Sequence, residues 1–492
     1  MNSFPLKSNR RNFLGRCAGC VAAAFCAKPL VGADRRSLLP LRAGSGQAPT
    51  AATSGATAAA GAGNEKTILR LVFTHISPDK ETWPYQGYDY DGRKKELTAR
   101  LVEACPKVEF LPATAQNAEQ AKKILADGAP ADGNVVYLVG IWSGAAEVFA
   151  SSGQPVLLVD DAYAGSGEFL IQYAAARRKG LKVAGVSSSR FEDAVSAIHA
   201  FEALKKMRSS VILDVDEGEP GAQDRAIEAV FGTKVRRTSA EEINAAYRRA
   251  NLSEARECAA RWMGEARQVV EPSREEIEKS AAIYLAMREL MKEHNARAIT
   301  VDCLTLFYGG KLPAYPCLGF FQMNNDGLVG ACEGDLESTV SMLLGGYLVG
   351  RPGYISDPVI DTSLNRIIYA HCVAPSKVFG PAGRPNPYDI RSHSEDRKGA
   401  CVRSLMPLGE IVTTLKFDPA RKEVVMHLAK TVENIDEDKA CRTKLAAEVS
   451  DIDKLMSEWD RWGWHRVTFY GDHKRAVETV AALAGFRTVW EA

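Results

Sequence analysis

Short apolar runs that alternate with helix-period stretches constrain this chain more than any other feature of its sequence. "ILRLVFTH" (68–75), "NVVYLVG" (134–140), "QPVLLVD" from 154 and "LKVAGVS" (181–187) read as strands of a first open sheet. Apolar runs of this length, separated by amphipathic segments, form parallel sheets with crossover helices. A helix near 190–206 leads into "SSVILDVD" (209–216), where a second sheet begins. "REEIEKSAAIYLAMRELMKEHN" (274–295) repeats apolar residues at three- and four-residue steps and predicts a long helix before the strand "ARAITVDC" (296–303). The next strand, "DGLVGACE" (326–333), carries Glu333 at its carboxyl end, the edge where open α/β sheets bind ligands. By about residue 380 the pattern changes: "GEIVTTLKFD" and "KEVVMHLAKT" alternate apolar with polar residues, as half-buried antiparallel strands do. The expected architecture is therefore two open parallel-sheet α/β domains at 65–207 and 208–350, then a β-rich C-terminal domain at 351–492 closed by the helical "HKRAVETVAALAGF".

The segment before residue 65 has a different character. "NRRNFLG" (9–15) pairs Arg10 with Arg11, and the apolar run "CAGCVAAAFCA" that follows is too short for a bilayer, which needs about 20 residues. With the small-residue end "VGA" at 31–33, residues 1–33 resemble a twin-arginine signal peptide, which implies a twin-arginine translocase partner and a periplasmic or otherwise exported destination. Residues 34–64, rich in Ala, Gly and Ser, cannot bury enough surface to fold and read as a disordered linker. Removing 1–33 takes away five basic residues and no acidic ones, which leaves a slightly acidic chain and argues against a nucleic-acid partner. The eight cysteines beyond the signal form no CxxC pair and read as buried free thiols. No later segment is long and apolar enough to suggest a membrane span.

The candidate chemistry lies in the second half. Glu333, Asp357 in "GYISDP" and His465 in "WGWHRVTFYGDH", with His371 in "YAHCVAP" as a fourth member, form an oxygen- and nitrogen-donor set suited to a divalent cation rather than a structural zinc site. Taken singly, a Glu at a strand end also serves as a helix N-terminal acid, and a lone His as a structural hydrogen-bonding group. Asp335 is placed to cap the following helix. "YAGSGEF" (163–169) lacks both dinucleotide spacing and a phosphate-loop lysine, so it predicts no nucleotide site.

"GACEGDLESTVSMLLGGYLVGRPGYISDP", then "IIYAHCVAP" and "WHRVTFYGDHKRAVETVAALAGF", resemble the L-fucose isomerase and L-arabinose isomerase superfamily over about 300–492. The resemblance implies Rossmann-like first and second domains, a divalent ion, Mn²⁺ foremost, on Glu333, Asp357 and His465, and a homo-oligomer whose loop at 163–169 faces a neighbouring subunit's site. Asp357 follows Glu333 by 24 residues, as that pattern requires, and His371 resembles the ligand histidine of the arabinose branch. The implied reaction is aldose–ketose isomerisation of a small-molecule sugar through an enediol, with the cation holding the sugar oxygens and Glu333 and Asp357 as the acid/base pair. His393 with Arg391 and Glu395 is a candidate for contacts to sugar hydroxyls, Trp464 and Trp462 for stacking on a sugar face, and Asp302 for orienting a ligand. Export sets the chain apart from the family's cytoplasmic enzymes, and two further readings stand beside isomerisation: an exported carbohydrate-binding protein, and a metal-dependent sugar epimerase or lyase on the same scaffold.

Overall fold

Parallel strands that are covered on both faces read as unbroken apolar runs, and this chain builds its first sheet from them. The computed structural model describes residues 66–492; the signal peptide and linker expected at 1–64 lie outside the described residues. β1 (Thr67–Thr74), β2 (Val108–Ala115), β3 (Gly133–Leu138), β4 (Val156–Asp160) and β5 (Val183–Ser187) form a parallel sheet in the order β2-β1-β3-β4-β5. β3 and β4 are buried along their whole length, whereas only the first and last residues of the edge strand β2 are buried.

A second parallel sheet orders as β10-β9-β6-β7, with β6 (Val211–Val215), β7 (Lys234–Thr238), the two-residue β8 (Gln268–Val269) set aside, β9 (Ala298–Val301) and β10 (Val329–Cys332). The helix Arg274–Glu293 ahead of β9 is capped by Ser273, whose side chain accepts from the Glu276 amide, and it buries the apolar stripe from Ile277 to Met291.

The C-terminal part contains a closed barrel. The strands of this C-terminal part are β11 (Tyr354–Asp361), β12 (Arg366–His371), β13 (Tyr388–Arg391), β14 (Cys401–Ser404), β15 (Ile411–Asp418), β16 (Glu423–Asn434), β17 (Thr443–Val449), β18 (Arg466–Tyr470) and β19 (Arg487–Trp490). The ring runs β15-β18-β11-β12-β17-β16 and back to β15, every pair antiparallel, with β19 laid parallel to β16. Closure removes the sheet edges that an open antiparallel sheet would expose. β13, β14 and β8 form a small separate sheet.

The helix Leu336–Val349 lies between β10 of the second sheet and β15 of the barrel, and the Ser341 hydroxyl accepts the Phe417 amide at 2.8 Å. This wedge explains a departure from the half-buried reading of 409–418: β15 is buried at every residue after Ile411, because one face lines the barrel and the other meets this helix. The last helix, Lys474–Ala484, packs onto the helix Phe191–Arg208 and β5, so it joins the barrel to the first sheet. Among the described residues no helix is long and apolar enough to cross a membrane, and all eight cysteines are free thiols, seven of them buried.

Candidate metal centre

Glu333 leaves the end of β10 with φ of 65°, and Gly334 follows at 64°. Two consecutive left-handed residues turn the chain sharply, while the Gly334 amide remains tied to the Val301 carbonyl of β9 at 3.0 Å. A glutamate in this region costs roughly 1–2 kcal/mol, and such outliers gather at functional sites. Asp335 then caps the helix Leu336–Val349 through the Ser338 amide at 2.8 Å. The other three candidates come from three adjoining barrel strands: Asp357 from within β11, His371 from the end of β12, and His465 from the residue before β18. The site therefore lies where the carboxyl edge of the second sheet meets the barrel.

The structure brings Glu333, Asp357, His371 and His465 together, each offering one ligand atom within 4.8 Å of the others. His465 Nε2 is 3.2 Å from Glu333 Oε2 and 3.2 Å from Asp357 Oδ1. His465 Nδ1 meets Asp335 Oδ2 at 3.0 Å, and His371 Nδ1 meets Asp357 Oδ2 at 3.1 Å. The buried Lys416 ammonium, 3 % exposed, donates to Asp335 Oδ2 at 2.9 Å. Trp464 Nε1 donates to Asp357 Oδ1 at 2.6 Å, and the Cys441 thiol lies 3.6 Å from Asp357 Oδ2.

Electrostatics follow from this geometry. Burial works against ionisation of Asp357, but His371 and His465 outweigh it and hold the carboxyl well below the usual carboxylate range. Burial likewise opposes the Asp335 charge, and Lys416 and His465 overcome it in the same direction. For His465 burial favours the neutral ring, yet Asp335, Asp357 and Glu333 together push its pKa up to about 11.

These residues fit a divalent cation. The buried His465 Nε2 has no hydrogen-bond partner in the described structure, although two carboxylates stand beside it. With Nδ1–H donated to Asp335, the Nε2 lone pair faces negative charge, an arrangement that needs either a proton or a metal ion there. A carboxylate behind the distal ring nitrogen is the usual means of orienting a metal-ligating histidine.

The remaining candidates fall into place differently. Asp302 accepts from the Thr305 amide as a helix cap, and its Cβ lies 3.4 Å from where a Gly334 Cβ would stand, directly beside the Glu333 turn. Trp464 touches Asp357 and is 66 % exposed, whereas Trp462 is a core residue that donates to Glu423. Arg391 forms a two-nitrogen pair with Glu271. His393 stacks on Tyr315 with ring centroids 4.8 Å apart, and among the described residues neither His393 nor Arg391 pairs with any of the four ligand candidates. Three features escaped sequence reasoning: the second role of Asp335, the buried Lys416, and the cysteines near the site, Cys441 against Asp357 and a buried thiol pair behind Glu333. Cys332 adjoins Glu333, with its sulfur 3.3 Å from that of Cys303. The strand pattern of "TLKF" hid Lys416; a lysine inside an otherwise apolar strand was the available signal.

No protein-family model matches the chain. It is similar to the sulfoquinovose isomerase of Alkalicoccus urumqiensis, 27 % identical over 192 residues that make up 36 % of this chain and 42 % of that protein. The sulfoquinovose isomerase of Priestia aryabhattai is 24 % identical over 190 residues, 37 % of this chain and 41 % of that protein. That of Clostridium sp. (strain MSTE9) is 34 % identical over 94 residues, 18 % of this chain and 20 % of its own length. The chain thus spans about two fifths of the length of the first two of these relatives. Among solved structures, a periplasmic solute-binding protein of an ABC transporter from Actinobacillus succinogenes, with bound D-allose, aligns over 50 % of this chain and 83 % of its own at 12 % identity, with a TM-score of 0.17.

Proposed function

We propose that this chain is a divalent-metal-dependent aldose–ketose sugar isomerase. The observation that carries the reading is the convergence of Glu333, Asp357, His371 and His465 around a buried imidazole nitrogen with no hydrogen-bond partner. The partial similarity to proteins named sulfoquinovose isomerase supports it and makes sulfoquinovose the first sugar to test. These four residues would hold the ion, Mn²⁺ foremost, which when bound supplies a Lewis acid to polarise a carbonyl and to offset developing negative charge.

The chain's own residues then divide the work. Asp357 takes hydrogen bonds from Trp464 and the thiol of Cys441 and faces His371, so it remains ionised and fixed. Glu333 receives no hydrogen bond from another described residue that would lock it, and its strained backbone aims it at the site, which makes it the stronger candidate to carry a proton between C1 and C2. Asp335 holds the orientation of His465. The paired Arg10 and Arg11 support export by the twin-arginine route after folding, and the assembly is proposed to be a homo-oligomer.

Elemental analysis of the purified protein, with Glu333→Gln and His465→Ala beside it, tests the centre. NMR of sulfoquinovose incubated with Mn²⁺-loaded enzyme tests the reaction. About one ion per chain, lost in both folded variants, with sugar interconversion falling about 10²–10⁴-fold in Glu333→Gln, is the expected outcome. No bound metal after Mn²⁺ incubation would refute the proposal. A metal-loaded protein that yields a C2 epimer or an eliminated product would replace isomerisation by one of the related proton abstractions.

A further inference from the structure

A cavity of about 990 Å³ opens at the edge of the two parallel sheets opposite to the metal centre. Thr67, Lys107, Ser210, Arg297 and Val329 line it where β1, β2, β6, β9 and β10 begin, and the last turns of the helix Leu336–Val349 form another wall. That helix starts at Asp335 beside the metal centre, so the two sites sit at its opposite ends.

The lining is unbalanced in charge. Seven lysine and arginine side chains face only two carboxylates, Asp132 and Glu202. Asp132 is taken by Lys205 at 3.1 Å and Arg208 at 2.8 Å, and Glu202 by His199 at 2.7 Å. Among the described residues, Lys107, Lys206 and Arg297 have no carboxylate within 4.0 Å. The Lys206 ammonium lies 5.5 Å from the centre of the Tyr347 ring, whose hydroxyl is 2.8 Å from that of Ser210. Partial burial, with Lys107 and Arg297 nearby and Glu202 opposing, holds the Lys206 pKa below that of an ordinary lysine.

The helix macrodipole accounts for part of this. Lys205, Lys206 and Arg208 occupy the last turn of the helix Phe191–Arg208, where cations are favourable. Lys107 and Arg297 lie beyond the ends of their helices, at Ala104 and Glu293, so that argument does not reach them. Lys107 and Lys206 are exposed and Arg297 is half-buried, so water solvates them; three cations without carboxylate partners around a cavity of small-molecule size still give it a positive potential that favours an anion. The chain's own first 65 residues do not complement it, because they carry eight basic and two acidic side chains.

We propose that this cavity is a second ligand site, which binds a small, multiply charged phosphate-type anion through Lys107, Lys206 and Arg297. The chemistry is shared by inorganic polyphosphates and phosphorylated metabolites, and it is independent of the isomerase reading.

Isothermal titration of the full-length protein with inorganic pyrophosphate and with fructose 1,6-bisphosphate, at fixed ionic strength, tests the site and separates the two sources. Saturable binding of one molecule per chain by either probe, weakened at least tenfold in Lys107→Ala/Arg297→Ala and retained in Glu333→Gln, is expected. The Lys107→Ala single variant, at an exposed position, gives the same test if the double variant does not fold. Binding without saturation, equal binding in the charge-removed variants, or binding that disappears in Glu333→Gln would each overturn the proposal, the last by moving the anion to the metal centre.

Discussion

Asp335→Asn separates a ligand-orienting role from a helix-capping one. The aspartate Oδ1 accepts from the Ser338 amide at 2.8 Å, and an asparagine carbonyl can do the same, so the cap survives. Oδ2 faces three donors: His465 Nδ1 at 3.0 Å, Lys416 Nζ at 2.9 Å and Ser338 Oγ at 2.7 Å. Placing an amide NH₂ there sets donor against donor. Lys416 keeps only Glu337 at 3.5 Å, and leaving a buried donor poorly matched costs roughly 2 kcal/mol of stability. Losing the partner behind a metal-ligating histidine costs about 10–100-fold in metal affinity, or roughly 1.4–2.7 kcal/mol. Glu337→Gln is the control, since it touches Lys416 but not His465. Competition titration with a metal indicator and thermal melts of both variants read the result. Asp335→Asn is expected to lose stability and metal affinity together, and Glu337→Gln stability alone. Unchanged metal affinity in a folded Asp335→Asn protein would refute the argument that Asp335 orients His465; equal loss in both variants would mean that the effect is global.

Two further predictions follow from burial and hydrogen bonding. Asp214, beneath Arg237, has its pKa raised by burial to about 7, with Arg237 opposing and nearby carboxylates adding to the shift. A raised carboxyl contributes stability that is present below its unfolded value of about 4 and is lost as pH rises through about 7. Asp214→Asn copies the protonated form, and Arg237 keeps Asp216 and Asp224. The variant's melting temperature relative to wild type should therefore climb between pH 5 and pH 8, and a constant gap would contradict the assignment. Trp464→Phe removes the hydrogen bond to Asp357 Oδ1 from a largely exposed ring; kcat/KM should fall about tenfold, the scale of one charge-assisted hydrogen bond, with the melting temperature unchanged. A fall in melting temperature that matches the activity loss would make the ring structural.

In the two parallel sheets, sequence reading found every strand but β2 and β7. β2, "VEFLPATA", carries a proline, and β7, "KVRRT", is mostly charged; both lie at the ends of their sheets. An edge strand has one unpaired side and faces water, so it tolerates the proline and the charges seen here, whereas the opposite edges, β5 and β10, keep the apolar runs by which they were found. The barrel was read as half-buried sheet for the converse reason. Alternation along 409–431 shows that the strands are antiparallel, but nothing local says that the ring closes or that a helix covers its outer face.

The candidate metal centre divides along the same line between local and non-local information. Glu333 at a strand end and Asp335 at a helix cap are legible because each sits within a few residues of the pattern that defines it. Asp357 and His465 are 108 residues apart, and what places them together is the antiparallel register of β11 with β18, which pairs Ser356 with Arg466. Continuing that register by one residue sets Asp357 opposite His465, and β12 on the other side of β11 delivers His371. Barrel closure holds those three strands fixed relative to one another. Glu333 alone arrives from the parallel sheet, through a two-residue left-handed turn tied to β9. The position of that carboxylate against the other three ligand candidates thus depends on how the helix Leu336–Val349 seats between sheet and barrel, and Asp335 and Lys416 are the residues that connect that helix to His465 and β15. This is why a residue that sequence patterns describe only as a cap is the one whose replacement most directly tests the site.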